Sequence, residues 1–148
     1  MEFGKVPAVI ARDLEFEPGN ENCYDYFMRN TEQHGDYTCF SHYGRTHLKS
    51  EFVADVMAVS AFYKNELGFK QGDVYTIFSP TNVESMILFM ALNRLGVIVN
   101  FVHPLTPPAA LEEIIEITKS KGILMLDLFA DAFEGVLAKN FSVICSVS

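Results

Sequence analysis

Apolar residues in this chain switch between two rhythms, and the switches mark its elements. Val74–Phe78 is a short, nearly continuous apolar run and predicts a buried strand. Val83–Leu95 follows as a helix opened by the capping-box pattern Thr81-Asn82-Val83-Glu84 and closed by Gly96. Val97–Val102 predicts a second strand. Thr106 then reads as the cap of a third helix with Pro107 at its first position, Glu112 and Glu113 early, Lys119 and Lys121 late, and Gly122 as its stop. Ile123–Leu126 is again a strand, Leu128–Leu137 a short helix and Ser142–Val147 a last strand.

Upstream the pattern differs. Residues 1–21 hold Pro7, Pro18 and Gly19 with no sustained period, and read as an arm. Asn22 is a natural N-cap for a helix carrying Tyr24, Phe27, Met28 and Thr31 on one side, with Gly35 as its close. Tyr37–His42 and Thr46–Leu48 flank Tyr43-Gly44-Arg45 as a β-hairpin. Glu51–Leu67 places Phe52, Val53, Val56, Met57, Val59, Tyr63 and Leu67 on one helical face, and Gly68 stops it.

From residue 74 the alternation of strand and helix implies an α/β fold: a three-layer, mostly parallel sheet with helices on both faces, preceded by the helix and hairpin. Val83–Leu95 is apolar nearly all round, so it should be buried on more than one side. A chain of 148 residues would struggle to cover it, and the sequence stops directly after a strand. Both points suggest a partial domain, with 22–148 as one subdomain behind the 1–21 arm.

Composition narrows the partners. The chain is 49% hydrophobic and 20% charged, a balance that supports a core and argues against disorder. Its net charge of −8 should repel nucleic-acid phosphates and anionic lipid. Met86–Leu92, the longest apolar run, is far short of the roughly 20 residues a bilayer crossing needs. The acidic start Met1-Glu2 suits no signal peptide, and Cys23, Cys39 and Cys145 read as reduced thiols of a cytoplasmic protein.

Three segments, in order, carry a family resemblance. Glu51-Phe52 after the glycine turn is similar to a segment of the form L-T/S-Y-x-E-L, although His47, Leu48 and Lys49 depart from it. Leu67-Gly68-Phe69-Lys70-Gln71-Gly72-Asp73-Val74 resembles L-G-v-x-x-G-D-r-V, with Pro80 and Glu84 following as expected. Leu95-Gly96-Val97-Ile98-Val99 leading to His103-Pro104-Leu105-Thr106-Pro107 and Leu111 resembles L-G-a-v-v-v-p-l-n-P-L-x-T-P-x-E-L. In that last segment His103 stands where Asn is usual, Ala110 where Glu is usual and Phe101 where proline is common. Together they are similar to the N-terminal portion of the AMP-forming acyl-CoA synthetases, within the adenylate-forming ligases.

The resemblance implies a parent that uses ATP, Mg2+ and coenzyme A to activate a carboxylic or fatty acid as its acyl-adenylate and pass it to the CoA thiol. It also implies that the phosphate loop and catalytic lysine lie outside this chain. The expectation here is therefore no catalytic residue, no metal ligand, no cofactor held by this chain alone and no activity. The expected partners are the remainder of the parent polypeptide, with the acid and CoA bound there, and a homodimer through exposed apolar surface. The alternative is a free-standing acyl-binding or protein-interaction module without catalysis.

Candidate residues follow from the sheet. Ligands of open α/β sheets bind beyond the carboxyl ends of the strands. Ser79, Thr81 and Asn82 after the first strand, and His103 after the second, are therefore expected to border the parent's acyl or CoA channel, although capping and turn roles account for them too. Cys39, His42 and His47 straddle a hairpin with no fourth ligand nearby, so hairpin packing explains them better than zinc. Asp127 ends a buried strand, where it has the right chemistry to accept a phosphoryl group. No paired acids end an earlier strand to hold magnesium, so a structural role fits better.

Overall fold

The computed structural model describes residues 21–140 and 143–147, with side chains described to residue 138. Most of the arm, Ser142 and Ser148 lie outside the described residues. Helix α1 spans Cys23–Thr31, capped by Asn22, whose Oδ1 accepts from the Asp25 amide at 2.8 Å. A 3-10 turn over Glu32–His34 and a left-handed Gly35 (φ 61°) bring the chain to β1, Thr38–His42, and its antiparallel partner β2, Arg45–Leu48. The hairpin loop is tighter than expected. His42 pairs with Arg45, leaving Tyr43 and Gly44 as a two-residue turn with φ of 46° and 80°. Glycine suits that geometry; a tyrosine there is uncommon.

Helix α2 spans Lys49–Asn65 and starts two residues earlier than its apolar pattern suggests. The Glu51 carboxylate accepts from the Leu48 amide at 2.9 Å, and Asp36 reaches across to accept from Ser50 through both its amide and its hydroxyl. Phe52, Val56 and Tyr63 are buried as the period requires. Ser60 is buried as well, and Met57 is exposed. A donor explains the serine: Arg94 supplies a guanidinium N–H to its Oγ at 3.1 Å.

Strands β3 (Val74–Phe78), β4 (Ile98–Phe101), β5 (Gly122–Leu126) and β6 (Val143–Val147) form a parallel sheet ordered β4-β3-β5-β6. Helices α3 (Val83–Arg94), α4 (Pro108–Thr118) and α5 (Ala130–Asn140) make the crossovers, the last after a 3-10 turn at Asp127–Phe129. Alternation along β3 divides the core. Tyr75 and Ile77 pack with Tyr63, Phe69, Leu88 and Leu92 toward α2 and α3, whereas Phe78 packs with Leu111, Ile115, Phe133 and Val136 toward α4 and α5. This is the expected three-layer α/β arrangement. Helix α3 is covered on two sides, as its apolar character requires, with Ala91 facing a second cluster built from Tyr24, Phe52 and Val56.

Boundaries around α3 and α4 differ from the sequence reading too. The cap of α3 is Asn82, not Thr81: Asn82 Oδ1 accepts from the Ser85 amide at 2.8 Å, and Ser85 Oγ accepts from the Asn82 amide at 3.1 Å. Pro107 caps α4 in place of Thr106. The following Pro108 forces residue 107 into extended backbone (φ −62°, ψ 153°), so the helix begins one residue later. Lys119, in the left-handed conformation at φ 54°, ends that helix, which frees Gly122 to open β5. Cys23 and Cys39 are free thiols, and Cys145 lies in β6, where backbone alone is described.

Candidate functional site

The carboxyl ends of β3, β4 and β5 open on one rim, and there the hairpin folds toward the start of α3. Between them lies a cleft of about 710 Å³, lined by His42, Tyr43, Arg45 and His47 from the hairpin and Pro80, Thr81, Asn82, Val83 and Glu84 from the β3–α3 turn, with Leu126 at the end of β5. The β3–α3 turn is held by the reciprocal Asn82–Ser85 cap, so its geometry is fixed by this chain's own side chains.

Of the four residues placed here by sequence, the cleft gathers two, Thr81 and Asn82. Ser79 is buried at the end of β3, and its hydroxyl donates to the Pro80 carbonyl at 3.1 Å. His103 is exposed beyond β4, where Nδ1 accepts from the Leu105 amide at 3.2 Å and its carbonyl from the Thr106 amide at 2.9 Å. It is a turn residue on the same rim and outside the cleft wall. The sequence reading assigned His42 and His47 to hairpin packing and Tyr43 and Arg45 to the loop between its strands. Their convergence on α3 depends on how the hairpin packs, and no local pattern encodes that.

The electrostatics are mixed. Arg45 and two histidines face Glu84 across the cleft, and Arg45 and His47 also border Glu51 and Asp55 on the outer side. Among the described residues, no three His, Cys, Asp or Glu side chains sit where they could hold a metal ion. Cys39 donates to the His47 carbonyl at 3.4 Å, and burial pushes its thiol pKa up, which disfavours the nucleophilic thiolate. The Asp127 carboxylate accepts from the neighbouring Leu128 amide at 2.7 Å, at the start of the 3-10 turn that follows β5.

At the opposite rim, Asp73 opens β3 and pairs with Lys121 just before β5, while its second oxygen accepts from the Lys70 amide at 3.1 Å. The Lys121 hydrogen bond holds the Asp73 carboxyl below its ordinary range. This pair ties two strands together at the end of the sheet away from the cleft.

The turn at the amino end of α3 is not a glycine-rich phosphate loop. The natural cradle would be the amino end of α3, where free amides and a glycine-rich turn receive phosphate oxygens. Here Asn82 and Ser85 satisfy each other's amides, and Ser79–Glu84 contains no glycine.

Comparison with known proteins places this architecture. A family model described as AMP-binding enzyme matches residues 27–146. The long-chain-fatty-acid–CoA ligase of Escherichia coli O6:H1 is 24% identical over 120 residues, covering 81% of this chain and 21% of the ligase. The L-2-aminoadipate reductase large subunit of Candida glabrata is 27% identical over 109 residues, 70% of this chain and 8% of that protein. Among solved structures, a long-chain-fatty-acid CoA ligase from Rhodopseudomonas palustris superposes with a TM-score of 0.77 at 18% identity, over 86% of this chain and 33% of its own. This chain thus spans about a fifth of the length of the curated ligase it matches.

Proposed function

We propose, from the premise that this chain belongs to the AMP-binding enzyme family, that it forms the N-terminal part of an ATP-dependent, AMP-forming acyl-CoA ligase. Residues 22–148 make the α/β subdomain and 1–21 an arm ahead of it. In the whole protein, the carboxylate oxygen of an acid bonds the α-phosphorus of ATP and pyrophosphate leaves. The CoA thiol then attacks the acyl carbon and AMP departs. ATP, Mg2+ and CoA are cofactors and substrate of that whole protein, which is cytoplasmic. This chain supplies a rigid wall, with Thr81 and Asn82 in the cleft and Ser79 and His103 on the adjoining rim bordering the acyl or CoA channel.

The observation that carries this reading is a coincidence of extent and geometry. The family match runs through nearly every described element while this chain spans about a fifth of the matched ligase, and the turn at the amino end of α3 holds no glycine. Alone, the chain is expected to be inactive. No helix among the described residues is long and apolar enough to cross a membrane. A second reading, a free-standing acyl-binding or interaction module, draws on one feature: the cleft gathers side chains of the hairpin and of the β3–α3 turn.

The coding sequence beyond Ser148 separates the two. The ligase reading expects a Ser/Thr/Gly-rich loop followed far downstream by a lysine, and acid-dependent AMP release by the full-length product. A stop codon directly after Ser148 overturns it in favour of the module.

A further inference from the structure

We draw no further inference here: the strongest candidate, the outer edge of strand β4 with Ile98, Phe101 and Leu105 exposed beside it, carries nothing because nothing in the structure shows what covers it.

Discussion

Strands β3 and β4 lie side by side in parallel register, Val74 against Ile98 through Ile77 against Phe101, and both are short apolar runs. Their environments are opposite. Tyr75, Thr76, Ile77 and Phe78 are fully buried between two helical layers, while the outer residues of β4 are more than half exposed. Identical rhythm, different neighbours: position in the sheet order decides which strand carries stability and which is left for contact. Thr76 shows the difference within one layer. It is enclosed, and its hydroxyl bonds Ser120 at 2.7 Å, whereas Asn100 on β4 reaches in to Thr76 at 3.4 Å from the margin.

Substitutions should reproduce that contrast. The largest effect is expected for Phe78→Ala, which empties a site between the Phe129 and Phe133 rings and should cost about 3–5 kcal/mol in urea unfolding. Thr76→Val keeps the volume but removes the hydroxyl that Ser120 and Asn100 share; Ser120 retains Thr118 at 3.1 Å, so the cost should be about 1–2 kcal/mol. Asp73→Asn should act mainly through pH. The folded carboxyl titrates below its unfolded value of about 3.9, so its stabilisation is complete above that value and is lost as pH falls through the lower, folded one. The urea midpoint of the wild type should therefore drop more steeply than that of Asp73→Asn at the acid end. Smallest is Phe101→Ala. It loses one tilted contact with Phe89 at 5.5 Å and should cost about 1 kcal/mol or less. If Phe101→Ala costs as much as Phe78→Ala, the distinction between centre and edge fails.

Periodicity made the layers legible. The all-apolar α3 announced its two-sided burial, and the alternation after residue 74 announced the parallel sheet. Caps were less readable, because neighbouring residues of similar chemistry compete. Thr81 and Asn82 both suit an N-cap, and the choice turned on Ser85 three residues beyond the asparagine. Pro108 displaced the start of α4 through a steric effect on Pro107 that outweighs the threonine hydroxyl. The cleft was half visible: Thr81 and Asn82 follow a strand and so fall on the rim. Tyr43 and Arg45 joined them through tertiary folding of a hairpin whose sequence fits plain surface equally well.

The central claim is the proposal that this chain serves a larger ligase as a wall of its channel and binds no nucleotide by itself. Calorimetric titration of the folded chain with Mg-ATP tests it most directly. We expect no saturable heat up to about 1 mM nucleotide. A one-to-one isotherm saturating at micromolar ATP, weakened by substitution of Thr81 or Arg45 in the cleft, would contradict it.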